Sequence, residues 1–238
     1  MIQNKIILVD KQLVNVNLFT PKTDARNQAV LFLHGWTGKP NTHAAQLLSN
    51  NGFYAMTLIF RGHPGSDGDI KTITAQDSLN DALEAYDFFT SKIPAGMPIA
   101  VVGSSYGSYI AALLSAKVPC NGLSLRVPAN YPDDLFDLPK WGRGNEDSAV
   151  AAWRLVEHGP HDNSALKAIN SFNYPVQIFQ AEFDDAVPEQ TVKNYANSVA
   201  AFKNLEYNFM KDWPHSLADH KERNKEFQKL LLIWLEGL

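Results

Sequence analysis

The 238-residue sequence contains one cysteine, Cys120, so no intrachain disulfide is available to staple its fold. It is sparing in charge. Charged residues make up 19%, against the roughly 25% usual in soluble domains. The 21 Lys and Arg are outnumbered by 25 Asp and Glu, for a net charge of −4, so no global basic field exists to draw in phosphate backbones. Nucleic acid is therefore not an expected partner. Long apolar runs are missing too: Leu230 to Leu235 falls far short of the roughly 20 residues needed to span a bilayer. The opening MIQNKIILVD reaches Asp10 with no long apolar stretch behind a basic start. The expectation is no signal peptide, no membrane partner and a cytoplasmic location. No Gly-x-Gly-x-x-Gly follows the first strand, there is no P-loop, and no His or Cys pair has zinc-site spacing. Neither a cofactor nor a metal is expected.

What is present is a hydrophobic content of 45%, enough for a chain of this length to build its own core. Short apolar runs alternate with helical patterns. Ile6–Val9 and Leu13–Leu18 open the chain, the second alternating as a half-exposed antiparallel strand should. Ala29–Leu33, Tyr54–Ile59, Ile99–Val102, Leu123–Arg126, Val176–Phe179 and Leu205–Phe209 complete a set of eight candidate strands. Helical stretches are read at Thr42–Asn50, Ala75–Ser91, Ser108–Lys117, Ala165–Asn170, Glu189–Ala200 and Asp219–Leu235. This rhythm predicts an α/β fold with a mostly parallel eight-stranded sheet flanked by helices. Residues 1–238 read as one domain. Residues 127–163, after the sixth strand, hold several Pro and Gly and only one short helical piece, so they read as a small cap or lid insertion.

The strongest chemical signal is Gly103-Ser104-Ser105-Tyr106-Gly107, which fits Gly-x-Ser-x-Gly between a predicted strand and a predicted helix. A turn tight enough to hold a serine at strained dihedrals leaves no room for side chains two residues before and after it. Gly103 and Gly107 satisfy that demand, whereas Ser104 has Tyr106 at its own second position and does not fit. Ser105 is the candidate nucleophile, and it needs a base and an orienting acid. His215 follows the last strand, and Glu182, Asp184 and Asp185 follow the seventh, on the strand ends where open α/β sheets build their sites. Neutral imidazole suits proton transfer near pH 7, so His215 is the candidate base. The acid is one of the three carboxylates. The competing reading is an ordinary Gly-Ser turn and a solvated loop histidine.

With these motifs in place, the chain from about Ala29 onward resembles the α/β-hydrolase superfamily, and within it the serine carboxylesterases. His34-Gly35-Trp36-Thr37-Gly38 resembles the family's oxyanion loop, and Arg61-Gly62-His63-Pro64-Gly65-Ser66 resembles its Arg-Gly-His-Gly-x-Ser loop, with Pro64 in place of a glycine. Asp184-Asp185-Ala186-Val187-Pro188 resembles an Asp-x-x-Val-Pro pattern whose first Asp orients the histidine. The resemblance implies Ser105, Asp184 and His215 as a catalytic triad, and the backbone N–H groups of Trp36 and Tyr106 as the oxyanion hole. It also implies structural roles for His34, Arg61 and His63. Hydrolysis of a small-molecule ester through an acyl-enzyme follows from the resemblance. Thioesterase and acyl-peptide hydrolase activities use the same triad, and a non-catalytic binding protein on this scaffold is a different class. Tyr131, Phe136, Trp141 and Trp153 in the excursion are candidate pocket residues favouring short or aromatic acyl groups, with core packing as the alternative for each. The oligomeric state has no signature in the sequence.

Overall fold

The computed structural model describes residues 2–22, 24–144, 146–200 and 205–238. Ile2–Val9 (β1) and Gln12–Phe19 (β2) pair antiparallel around Asp10 and Lys11, both left-handed, which is the turn whose twist matches a two-residue hairpin. Ala29–Leu33 (β3), Tyr54–Ile59 (β4), Ile99–Ser104 (β5), Gly122–Arg126 (β6), Val176–Phe183 (β7) and Leu205–Pro214 (β8) complete an eight-stranded sheet. Its order is β1-β2-β4-β3-β5-β6-β7-β8, with β1–β2 and β2–β4 antiparallel and every later pairing parallel. β3 and β5 lie mid-sheet and are buried at every residue, as continuously apolar strands covered on both faces must be.

The alternation along β3 feeds two cores. Leu31 and Leu33 pack with Leu79 of Ala75–Thr90 (α2), Tyr109 of Tyr106–Ser115 (α3), Leu166 of Ser164–Ser171 (α5) and Val192 of Glu189–Ser198 (α6). Val30 and Phe32 pack on the other face with Leu48 of Thr42–Asn50 (α1) and Phe227 and Leu231 of Lys221–Glu236 (α7). The fourth helix in chain order, Ser148–Arg154 (α4), belongs to the excursion. Among the described residues, no helix is long and apolar enough to cross a membrane.

Several boundaries differ from those expected. β1 starts at Ile2 rather than Ile6, and β7 and β8 run on to Phe183 and Pro214. β1 and β8 are edge strands with exposed residues, so their backbones pair where no apolar run announces them. The β7–β8 ladder is irregular between Ala181 and Phe183 and resumes at Phe183 and Pro214. α3 begins at Tyr106, two residues earlier than expected, directly after Ser105.

The excursion is stitched to the body at both ends. The carbonyl of Phe136 accepts from the N–H groups of Ala75 and Gln76 at the start of α2, and Lys140 N–H donates to Ile73 O at 2.8 Å. On the other side, Arg154 donates to Asn130 O at 3.0 Å, and Asn130 and Asn163 exchange side-chain hydrogen bonds. Between these ties lie a 3-10 turn at Asp133–Leu135 and α4.

Candidate active site

The turn between β5 and α3 has the strain that its glycines imply. Ser105 sits at φ 53 and ψ −116, a region costing about 1–3 kcal/mol for a residue with a side chain. A Cβ on Gly103 would lie 2.5 Å from Ser108 Cα, and one on Gly107 would lie 2.2 Å from Leu33 O. Both obstacles are backbone, so the sharp turn and its close approach to β3 exclude any other residue. The strain is held by neighbours: Ser105 N–H donates to Arg126 O at 2.8 Å, and Ser105 O accepts from Ser108 at 2.9 Å and from Ala129 at 3.2 Å.

The Ser105 hydroxyl donates to His215 Nε2 at 3.0 Å. On the other side of the ring, Nδ1 lies 2.9 Å from Asp184 Oδ2 and 2.8 Å from Oδ1. Asp184 is itself held, because its Oδ1 accepts the N–H groups of Ala186 at 2.9 Å and Val187 at 2.7 Å, the side-chain-to-backbone turn that aspartate favours. The contact with the His215 ring singles out Asp184 among the three carboxylates. Glu182 instead accepts from the N–H of Asp212 at 2.7 Å. A hydroxyl, an imidazole and a carboxylate in this order can move a proton off the hydroxyl while the carboxylate holds the imidazole tautomer.

The loop after β3 passes beside the hydroxyl: a Cβ on Gly35 would lie 3.3 Å from Ser105 Cβ and 4.0 Å from Oγ. His34 orients this loop. Its Nδ1 lies 2.8 Å from Gly35 O, and its Nε2 accepts from Phe60 N–H at 3.1 Å, which requires the neutral Nδ1–H tautomer. Burial pushes the His34 pKa down to about 4, in keeping with that form. Since carbonyl and N–H point opposite ways across a trans peptide, holding Gly35 O on one side sets the Trp36 N–H on the other. Among the described residues, neither Trp36 N–H nor Tyr106 N–H donates to any protein acceptor. His63 steadies the next residue, accepting from Thr37 N–H at 3.3 Å, while its own pKa is lowered by burial.

Arg61 braces the loop after β4. It pairs with Asp81 at 2.7 Å, Asp10 at 3.0 Å and Asp77 at 3.4 Å, thereby joining the β1–β2 turn to α2. Burial pushes the Asp81 carboxyl up to about 6, restrained by Arg61, which leaves it ionised at neutral pH. Cys120 is buried, its thiol pushed up to about 12 by desolvation, and it lies outside this constellation. Among the described residues, no group of three or more His, Cys, Asp or Glu is placed to hold a metal ion.

The excursion aromatics part company. Tyr131 is buried, with its ring 6.0 Å from that of Tyr106, and Tyr106 stands 5.1 Å from Trp36. Phe136 is partly buried and packs on the main core. The other two stand apart from this aromatic group. Trp141 is 49% exposed, at a turn that Gly142 completes with φ 73. Trp153 stacks on His158 with centroids 4.1 Å apart, because the buried face of α4 is set by Val150 and Arg154 and passes it by.

Two residues of the site escaped the sequence reading. Arg126, at the end of β6, donates from Nη1 to the carbonyl of His215 at 2.7 Å and from Nε to Ser104 Oγ at 3.3 Å. A charged residue closing an apolar strand at the edge where such sheets carry their sites was the available signal. Lys140 is 7% exposed, with its ammonium 4.9 Å from the Trp36 ring and 5.0 Å from that of Tyr131. Nothing in its local sequence marks it.

Comparison with known proteins agrees with this architecture. The structure is similar to ferulic acid-bound Est1E from Butyrivibrio proteoclasticus, with a TM-score of 0.75 and 19% identity, over 98% of this chain and 100% of that one. It is similar to an alpha-beta serine hydrolase homologue from Coxiella burnetii, with a TM-score of 0.70 and 18% identity, over 99% and 97% of the two chains. It also matches an acylaminoacyl peptidase from Pyrococcus horikoshii, with a TM-score of 0.73 and 14% identity, over 99% of this chain but 41% of the other. At such identities the likeness shows the fold alone. No curated protein is significantly similar in sequence. The model of the alpha/beta hydrolase family, however, matches residues 30–237, and the chain belongs to that family.

Proposed function

We propose that this hydrolase cleaves carboxylic esters with short or aromatic acyl groups, through an acyl-enzyme on Ser105. The observation that carries the reading is the unbroken chain from Asp184 through His215 to the Ser105 hydroxyl, at 2.9 and 3.0 Å. Ser105 Oγ attacks the acyl carbonyl as His215 Nε2 takes its proton, and Asp184 stabilises the resulting imidazolium. Negative charge on the carbonyl oxygen is received by the Trp36 and Tyr106 N–H groups, a type of contact worth about 10² to 10³ in rate per donor. His215 returns the proton to the departing alcohol. Water then repeats the sequence on the acyl-enzyme and releases the acid.

Support for a small or flat acyl group comes from the rings of Trp36, Tyr106 and Tyr131 beside the oxyanion loop. The Tyr106 ring lies 5.1 Å from that of Trp36 and 6.0 Å from that of Tyr131. The test is turnover of p-nitrophenyl butyrate and laurate by the wild type and by Ser105→Ala. The butyrate is expected to be the better substrate, and the mutant to lose up to about 10⁶ in turnover. A wild type inert on both esters, or a mutant as active as the wild type, would overturn the reading. Preference for laurate would remove its acyl-size part.

A further inference from the structure

We propose that Lys140 selects the acyl group, and that the group it selects ends in a carboxylate, making short monoesters of dicarboxylic acids the preferred substrates. This rests on the ester hydrolysis proposed above. Lys140 is 7% exposed, yet among the described residues its ammonium has no hydrogen-bond acceptor and no Asp or Glu oxygen within 4.0 Å. Two aromatic rings hold it instead, those of Trp36 at 4.9 Å and Tyr131 at 5.0 Å. Ring faces stabilise a cation without neutralising it, so the charge stays available to an incoming anion.

Both rings belong to segments against the candidate nucleophile. Trp36 follows Gly35, which abuts Ser105, and Tyr131 lies two residues after Ala129, whose N–H donates to Ser105 O. The lysine is held in place, since its own N–H donates to Ile73 O at 2.8 Å beside the Thr74–Pro139 bridge. The surroundings reinforce the sign. The Arg154 guanidinium lies 4.4 Å from the Tyr131 ring, and Arg143 lines the same small cavity as Lys140. Two acids of the excursion are engaged elsewhere, Asp133 accepting from Ser164 and Asp147 facing Arg143 at 3.8 Å. An acyl chain bound with its carbonyl at the Trp36 N–H and extending towards Tyr131 brings a terminal carboxylate to this ammonium.

The experiment compares kcat/KM for monoethyl glutarate and ethyl pentanoate by pH-stat, in the wild type and in Lys140→Met, Lys140→Arg and Lys140→Glu. The wild type is expected to prefer the carboxylate-bearing ester by about ten- to a hundredfold, the range for a charge-assisted hydrogen bond. Lys140→Met should abolish the preference, Lys140→Arg retain most of it, and Lys140→Glu reverse it. Should Lys140→Met not fold, the wild-type ratio and its decline with added salt decide the matter. Equal wild-type rates on the two esters, or a preference that survives Lys140→Met, would overturn the assignment of Lys140 while leaving ester hydrolysis standing. Inertness towards both esters, and towards p-nitrophenyl butyrate, would instead bring down the ester reading.

Discussion

Replacing Arg126 with methionine should separate positioning from binding at this site. The guanidinium donates to the carbonyl of His215 and to Ser104 Oγ, while the residue's own carbonyl accepts the Ser105 N–H. One residue therefore ties the His215 loop to the Ser105 turn. Burial pushes its pKa down to about 10, which leaves it cationic at neutral pH. Methionine keeps the apolar stem and removes a charge-assisted bond at 2.7 Å, worth about 1.5–3 kcal/mol. For a chain of this size each kcal/mol moves Tm by roughly 2–4 °C, so calorimetry should register a drop of about 3 to 12 °C. The released His215 carbonyl lets the imidazole drift from Ser105. A misplacement near 1 Å can cost on the order of 10² in rate, so kcat should fall about ten- to a hundredfold. KM should change far less, because none of the hydrogen bonds of Arg126 reaches the loop after β3 or the aromatic rings beside it. Arg126→Lys should fall in between, as one ammonium cannot match a fork reaching two acceptors. A kcat within about twofold of wild type, alongside the lowered Tm, would refute the positioning role and leave Arg126 a stabilising residue only.

Three further outcomes are expected. Asp184→Asn should lower kcat by about 10⁴ through loss of the correct tautomer, whereas Asp185→Asn should leave it within a fewfold; equal losses would contradict the assignment of the acid. Gly107→Ala should abolish soluble expression, since its Cβ would meet backbone at 2.2 Å. Gly96→Ala, at φ 76 with nothing within 4 Å, should cost only about 1–2 kcal/mol by chemical denaturation. His34 should stay neutral until about pH 4. The unfolded chain protonates its imidazole near 6.5, so stability on the order of 3 kcal/mol is lost as the pH falls from 6.5 towards 4. Asp81, raised to about 6, favours the folded state as the pH falls through much of that window, so total stability mixes the two. Histidine NMR reads His34 directly, and titration near 6.5 would contradict the buried tautomer.

Much of the site was legible because its parts are local. Gly103, Ser105 and Gly107 form a turn whose steric demand spans five residues, and the Asp184 turn closes on Ala186 and Val187. His34 and His63 were legible in type, through their motifs, although their partners Phe60 and Thr37 were not. The edge strands were read short, because backbone pairing at β1 and β8 does not need the apolar side chains that make a strand visible.

By itself the sequence determined the alternation of strands and helices, the strained turn at Ser105 and the chain order of hydroxyl, carboxylate and imidazole. Each depends on side-chain size or periodicity within a few neighbouring residues. Only the tertiary structure decided the strand order, the tie from Arg126 to His215 and the placing of Lys140 between Trp36 and Tyr131. It also turned Trp141 and Trp153 away from the aromatic group that Tyr131 joins. The net charge of −4 sums over the whole chain, whereas the field at a site depends on which few charges the fold brings together.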